Sequence, residues 1–263
     1  MTRRLPAAFG LAALALSACV PLALLGLWSV AGAWFYPALR PPTFTLEAWR
    51  ALASARARLG PAALASLGLA LANGALAAAV AFPVGRALAA LAGWRRRLGA
   101  ALVFLPVAAP PIALGIGLQY SALVLGLGGT PLGVLLAHAV PSVGFLSLYF
   151  LGIFTAFDRR IEDEARSLGA SPAQILRRVT LPLLRRPIAE AVLLGMLISW
   201  AQVPLTQLVG GGLVRTLPLE VLAYVRSGQD RYAAAGALVL VLPGLAAIAA
   251  ARIAARRAEV PPL

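Results

Sequence analysis

The chain has 263 residues, of which 61% are hydrophobic and only 12% are charged, about half the charged share of an ordinary soluble domain. Its net charge of +14 comes from 23 arginines that lie in the gaps between long apolar runs, which argues against a nucleic-acid-binding surface. This composition excludes a soluble globular domain and predicts an all-α, polytopic membrane protein.

Long runs without charge divide the chain, and each can hold at least one membrane-spanning helix. They cover residues 7–39, 59–85, 98–157, 191–214 and 232–251. A helix needs roughly 20 apolar residues to cross a bilayer, so the third run holds two spans, separated by turn-forming residues. We therefore predict one membrane domain over residues 1–263 with six spans, near 8–34, 61–90, 98–125, 131–155, 188–210 and 233–254.

The first apolar run follows Arg3 and Arg4 and has some features of a secretory signal peptide. It is roughly 30 residues long, whereas the apolar core of a signal peptide has about 7–15. We expect it to remain as the first span. The single cysteine, Cys19, lies inside this run, so neither a disulfide framework nor a cysteine metal site is expected.

The distribution of arginine predicts the orientation of the spans. Most of the 23 arginines fall in gaps on the same side as the N-terminus, and basic residues are enriched on the cytoplasmic side. Six spans then place both termini in the cytoplasm. The predicted outer segments are 35–60, 126–130 and 211–232, and the inner ones are a short basic turn at 91–97 and a longer segment at 156–187.

The inner segment 156–187 is rich in charge and predicts two short helices. Ile161, Ala165 and Leu168 recur on one helical face, with acids in the first turn, where the helix dipole favours them. Gly169 is the expected stop of this first helix. The second is expected to begin with Ser171 as N-cap and Pro172 at the first helical position, to bury a stripe that includes Ile175, and to end at Pro182.

A helix–glycine–helix segment of this kind suits two environments. It could lie in a groove on another protein, or it could rest on the lipid surface, held there by its arginines. The residues alone do not decide between these two interpretations.

A sequence motif within the segment resembles a known signature. Residues 163–172 and 179–182 are similar to the "EAA" signature of binding-protein-dependent ABC importer permeases, which reads Glu-Ala-Ala, three residues, Gly, nine residues, Ile, any residue, Leu-Pro. Gly169, the spacing to Val179 and the Leu181-Pro182 pair fit. Asp163 stands for the Glu and Glu164 for the first Ala, which are departures.

The resemblance implies a permease subunit of an ATP-driven importer in the bacterial cytoplasmic (inner) membrane. Its expected partners are cytoplasmic ATP-binding subunits, a second identical or sister permease, an extracytoplasmic substrate-binding protein and membrane lipid. Because the chain contains no lysine, it has no phosphate-binding loop, so we expect no cofactor, no metal and no enzymatic activity in this chain. Docking on the ATPase is expected at Asp163, Glu164, Ala165, Ser167, Leu168, Gly169, Ala170, Ser171, Pro172 and Ile175.

Polar residues within the spans are candidates for the substrate path. The fifth span is the richest in them, and the stretch from Ile198 to Pro218 resembles the branch of the family that serves polyamines, thiamine, ferric iron and oxyanions. Such side chains also hold helices together by hydrogen bonds, so both roles stay open for each of them. The candidates are Ser199, Trp200, Gln202, Thr206 and Gln207.

Three other polar residues receive packing roles. Asn73 and His138 are expected to hydrogen-bond between helices, and Glu190 is expected to pair with Arg185 and Arg186. An ion-coupled secondary carrier or channel is the alternative function, but no acidic residue lies in the middle of a span to carry the coupled ion.

Overall fold

The computed structural model describes residues 4–35, 37–54 and 58–258. Regular structure in these ranges is helical, apart from an isolated bridge between Ala31 and Phe44. The helices are α1 (Arg4–Val30), α2 (Glu47–Ala53), α3 (Leu59–Ala90), α4 (Gly93–Ala108), α5 (Pro111–Val124), α6 (Pro131–Ala156), α7 (Arg160–Ser167), α8 (Pro172–Ile175), α9 (Leu181–Leu183), α10 (Arg185–Trp200), α11 (Pro204–Gly210), α12 (Leu217–Arg226) and α13 (Asp230–Ala258).

The helices form two compact units. Unit one consists of residues 1–65 and 215–263, and unit two of residues 66–214. Unit one therefore holds α1, α2, the first turns of α3, α12 and α13. Unit two holds the rest of α3 and the helices from α4 to α11, including every residue that the sequence singled out for docking or for the path.

Three helices among the described residues are long and apolar enough to cross a membrane: α3, α6 and Asp230–Ala249 of α13. Two bent pairs, α4 with α5 and α10 with α11, add one span each if each pair is counted as one. In α1 the stretch Cys19–Val30 is a shorter apolar helix, and the side chains of residues 4–15 lie outside the described ones. By these criteria the structure supports three to five of the six predicted spans.

The predicted third span, residues 98–125, is broken rather than continuous. α4 and α5 meet at an angle of 92°. Ala109 is extended because the residue before a proline avoids helical geometry, and Pro111 opens the next helix at its first turn. The Pro110-Pro111 pair therefore divides the predicted span into two helices.

The predicted fifth span, residues 188–210, is also broken. α10 ends at Trp200 and α11 begins at Pro204, with a bend of 66° between them. The break lies just before Pro204, which occupies the first turn of the following helix. Both broken spans belong to unit two.

Several predicted ends and loops were also wrong. The first span ends at Val30 instead of residue 34, and the third predicted outer segment, 211–232, contains α12. The first outer loop, 35–60, contains α2. The basic turn at 91–97 is shorter than predicted because α4 already begins at Gly93, which puts the three arginines 95–97 in its first turns.

Unit two is held together by close helix packing at glycine. A Cβ on Gly74 of α3 would lie 2.4 Å from the carbonyl oxygen of Val192 in α10, and a Cβ on Gly85 would lie 2.4 Å from Cβ of Phe150 in α6. Phe150 is fully buried and packs edge-on against Phe82, with a centroid distance of 5.3 Å. Small residues at such contacts are what allow membrane helices to approach each other closely.

Replacing Gly74 by alanine should therefore destabilise the protein, because the added methyl group overlaps backbone atoms of α10 that cannot move aside. We expect a loss of about 1–3 kcal/mol in the free energy of unfolding in detergent. Gly68→Ala is the matched control, since Gly68 lies on the same helix with no atom within 4 Å of its added Cβ. Equal melting temperatures for the two variants would contradict the packing described.

Candidate coupling segment and substrate path

The predicted helix–glycine–helix segment is confirmed, and we refer to residues 160–175 as the elbow. α7 runs from Arg160 to Ser167, and Gly169 follows in the left-handed conformation with φ of +83°. Ser171 caps α8 in a capping box: its backbone N–H donates to Gln174 Oε1 (2.7 Å), and its hydroxyl accepts from the Gln174 N–H (3.4 Å). The chain therefore turns at one glycine between two short helices.

The second helix does not end at Pro182, as the sequence had suggested. Residues 176–180 form a π-helical turn, and the helix continues through Leu183. The N–H of Leu181 donates to the carbonyl of Leu176, five residues earlier. This wider turn lies directly before Pro182, whose ring would clash with a carbonyl four residues back in a regular helix.

Most of the predicted docking residues are on the surface of the elbow. Leu168 is 87% exposed, which is unusual for so large an apolar side chain on a polar segment. Ala165 and Ala170 are half-buried, and Ile175 is buried and so faces the protein. The exposed members of the set are Asp163, Glu164, Ser167, Leu168, Gly169, Ser171 and Pro172.

The face of α7 that packs against the rest of the protein carries an acid, Glu162. It is one of the acids predicted in the first turn of this helix. It is 6% exposed. Arg86 of α3 donates to its Oε2 at 2.8 Å, and the hydroxyl of buried Thr180 donates to its Oε1. The apolar Ile161, in α7, and Leu168, directly after it, are exposed. No local pattern in the sequence pairs Glu162 with Arg86, 76 residues away.

The Arg86–Glu162 ion pair also forms part of a polar cavity of about 310 Å³. The Arg86 guanidinium lies 5.9 Å from the centre of the Phe154 ring, within the range of a cation–π contact. Arg166 donates a hydrogen bond to Asp163, one turn earlier in α7. Arg159 contributes a further positive charge to the cavity wall. The elbow is therefore joined to α3 and α6 through charged and aromatic groups.

A second cavity, of about 460 Å³, borders both breaks in the helices. Its lining includes Pro106 and Pro111 from the α4–α5 pair, Pro141 of α6, and Leu205 of α11. Among the described lining residues only Gln202 has a polar side chain, and it lies in the break between α10 and α11. The cavity is therefore apolar with one neutral hydrogen-bonding group.

His138 joins the two halves of the fifth span. Its Nδ1 lies 2.8 Å from Ser199 Oγ of α10, and its Nε2 lies 2.9 Å from Thr206 Oγ1 of α11. The Thr206 hydroxyl donates to the Gln202 carbonyl at 3.1 Å, so it accepts from His138 Nε2. The imidazole therefore bridges α10 and α11 and holds the bend in place, in agreement with the packing role predicted for this histidine.

The five predicted path residues thus occupy different surroundings. Ser199 and Thr206 are buried and hydrogen-bonded to His138, Trp200 is buried, Gln202 lines the apolar cavity, and Gln207 is exposed. The structure brings together Ser199 and Thr206 in the His138 network, and it leaves Gln202 as the one member of the set that faces the cavity.

Of the two other polar residues with predicted packing roles, one prediction is confirmed and one is wrong. Asn73 donates to Ser142 Oγ (2.9 Å) and to the Gly195 carbonyl (2.8 Å), which confirms its role between α3, α6 and α10. The predicted pairing of Glu190 with Arg185 and Arg186 is wrong: the Tyr149 hydroxyl donates to Glu190 at 2.7 Å. Glu190 and Tyr149 lie on adjacent helices, and a contact across helices cannot be read from neighbours in the chain.

Comparison with protein families identifies the chain. The family described as "Binding-protein-dependent transport system inner membrane component" matches residues 81–260, which include the elbow and both broken spans. The chain belongs to this family. It is therefore a multi-pass inner-membrane component, as the resemblance of its elbow implied.

Two curated relatives agree with this family. The spermidine/putrescine transport system permease protein PotC of Haemophilus influenzae is 27% identical over 156 residues, 59% of this chain and 61% of the relative. The molybdenum transport system permease protein ModB of Mycobacterium tuberculosis is 33% identical over 170 residues, 59% of this chain and 63% of the relative. The similarity therefore spans less than two thirds of the relatives' length.

A solved structure shares the fold. The chain is similar to a bacterial ABC transporter involved in the import of the acidic polysaccharide alginate, with a TM-score of 0.65 and 18% identity over 94% of each chain. At this level of identity the likeness concerns the fold alone.

Replacing His138 by phenylalanine should loosen the bend in the fifth span. The ring volume is kept, but the hydroxyls of Ser199 and Thr206 lose their shared partner, so we expect the free energy of unfolding to fall by about 1–3 kcal/mol. Unfolding of the detergent-solubilised protein in SDS measures this. Tyr120→Phe is the control, because Tyr120 is 72% exposed, and an undiminished stability of His138→Phe would contradict the assigned role.

Proposed function

We propose that this chain is the permease subunit of an ATP-driven importer, in which it forms half of the substrate path and couples that path to a cytoplasmic ATPase. The observation that carries the proposal is the elbow: a turn whose outer face is exposed and whose inner face is fixed by the ion pair between Arg86 and the buried Glu162. Such a segment can transmit force only if something grips its exposed side.

The charges and apolar groups of the elbow favour a protein partner over lipid. Its exposed face includes Leu168, which would gain from burial in a groove. The exposed acids Asp163 and Glu164 balance the exposed arginines Arg160 and Arg166, so the face has no net positive charge to attract it to the anionic cytoplasmic surface of a membrane. We therefore place the elbow in a groove of an ATP-binding subunit, with the apolar side chain filling the groove and the acids at its rim.

The apolar cavity supports the proposal that the helices around it form one wall of the substrate path. It lies where both spans are broken, and non-helical backbone at membrane depth is tolerated only against protein or a water-filled space. A second permease, identical or related, would complete the wall. Both termini would then face the cytoplasm, in accordance with the arginine distribution, and a substrate-binding protein would deliver its cargo from the opposite side.

The substrate is proposed to be a small solute selected mainly by that binding protein. The relatives are named for spermidine and putrescine, whose amino groups are cationic at neutral pH, and for molybdenum. The cavity offers Gln202 and no charged side chain among its described lining residues, so it does not select for either sign of charge. Polyamines are the first substrate class to test.

Replacing Gly169 by valine should uncouple ATP hydrolysis from uptake. The residue has φ of +83° with no atom within 4 Å of an added Cβ, so the effect is conformational: a β-branched residue is strained there. The turn would relax and shift the exposed face. We expect uptake per ATP hydrolysed to fall about tenfold while the protein remains in the membrane.

Gly228→Val is the matched control, because Gly228 also has a positive φ, of +67°, and open space around its Cβ, but it lies between α12 and α13. Uptake per ATP in this variant should stay close to wild type. Normal coupling in Gly169→Val would contradict the proposal that the elbow transmits force.

The energy source separates the proposal from an ion-coupled carrier. Vesicles that contain the purified complex should accumulate labelled spermidine, or labelled molybdate in a parallel assay, only with ATP present and with no dependence on a proton or sodium gradient. Uptake that persists without ATP and collapses with the ion gradient would assign the chain to the carrier class instead.

A further inference from the structure

Glu162 is the point at which the elbow is joined to two membrane helices. Its carboxylate accepts from Arg86, one turn before the end of α3, and from Thr180, in the π-helical turn that leads into α9 and α10. Thr180 is fully buried and Glu162 nearly so. One side chain therefore ties α7 to the inner ends of two transmembrane segments.

The segments that connect α7 to α6 and to α8 are short and non-helical. Toward α6 it is joined by residues 157–159, of which Phe157 is extended and Asp158 lies outside any helix. Toward α8 it is joined through Gly169, which has positive φ. If only these two segments held α7, a displacement of α7 would change the backbone dihedral angles of the connecting residues. The membrane helices would then not move with it.

We infer that Glu162 is a positioning residue for coupling: through Arg86 and Thr180 it makes the elbow, the inner end of α3 and the start of α10 move as one body. This rests on the proposed function, because it assumes that an ATPase moves the elbow. In this role the ion pair acts through the position of the elbow: it determines whether a displacement of the elbow reaches the cavity between the broken helices.

The role differs from plain stabilisation in a measurable way. A contact that only stabilises the fold would, when lost, lower the amount or melting temperature of the protein and reduce all activities together. A contact that transmits motion would, when lost, leave the complex assembled and hydrolysing ATP while the membrane helices no longer respond. The readout must therefore follow the cavity itself.

The test uses a cysteine reporter in the cavity. Ala109 lines the cavity and is replaced by cysteine, with Cys19→Ser as background. The complex, purified with its native partner subunits in lipid nanodiscs, is labelled with a membrane-impermeant maleimide with and without ATP. Wild-type protein should show an ATP-dependent change in labelling rate, and this needs no knowledge of the substrate.

Glu162→Gln should abolish most of that change. The amide is isosteric and can still accept from Thr180, but it no longer carries the charge that holds Arg86. We expect the ATP-dependent change in labelling to fall about fivefold or more, with subunit stoichiometry and ATP turnover retained. An unreduced response in Glu162→Gln overturns the inference, and so does loss of the ATPase subunit from the purified complex, which would reveal a role in assembly only.

Thr180 supplies a conservative rescue. Thr180→Val keeps the shape and removes the hydroxyl, and it should weaken the response, whereas Thr180→Ser keeps the hydroxyl and should preserve it. Equal behaviour of these two variants contradicts the inference. Glu47→Gln is the matched control, because Glu47 also accepts from an arginine, Arg231 (2.9 Å), and from a hydroxyl, that of Tyr232 (2.8 Å), but lies in unit one. If Glu47→Gln reduced the ATP-dependent change in labelling as much as Glu162→Gln does, that result would also contradict the inference.

Failure of the proposed function gives a different result. If the chain is not part of an ATP-driven importer, wild-type protein itself shows no response of the Ala109→Cys reporter to ATP. If only the inference fails, wild-type protein responds, Gly169→Val is uncoupled, and Glu162→Gln behaves like wild type.

Discussion

The ion pair between Arg86 and Glu162 is the contact on which the mechanical interpretation depends. The Glu162 carboxylate would be costly to bury alone, and it is acceptable because the half-buried Arg86 lies 2.8 Å away and Thr180 donates to its second oxygen. The pair gives the elbow a fixed orientation and leaves its outer face free for a partner. Without it the same two short helices would be an ordinary flexible connection between spans.

Two other polar contacts fix unit two in the same way. Asn73 connects α3 to α6 and α10, and His138 holds α10 and α11 at their bend. Around them the helices approach at glycine, as at Gly74. In lipid there is little hydrophobic force to bring helices together, so shape and hydrogen bonds decide the arrangement. The bend beside the cavity is therefore a specified feature of the fold.

The sequence predicted those features that local chemistry determines. Apolar runs gave the membrane class, and Gly169, Ser171 and Pro172 gave the turn of the elbow, because caps and positive φ depend on adjacent residues. It failed where distant residues decide: Glu162 was not recognised because its partner is on α3, and Glu190 was paired with neighbours instead of Tyr149. The two broken spans were missed because a proline within an apolar run is compatible with both a kink and a break.

The breaks before Pro111 and Pro204 have a consequence for the abundance of the protein in the membrane. Backbone groups freed at these points cannot face acyl chains without a large cost in free energy, and both points border one cavity. In the proposed assembly a second permease covers this cavity, so a copy without that partner would leave these backbone groups facing acyl chains. Its accumulation would then depend on synthesis together with the second permease, and membrane proteases would remove excess copies.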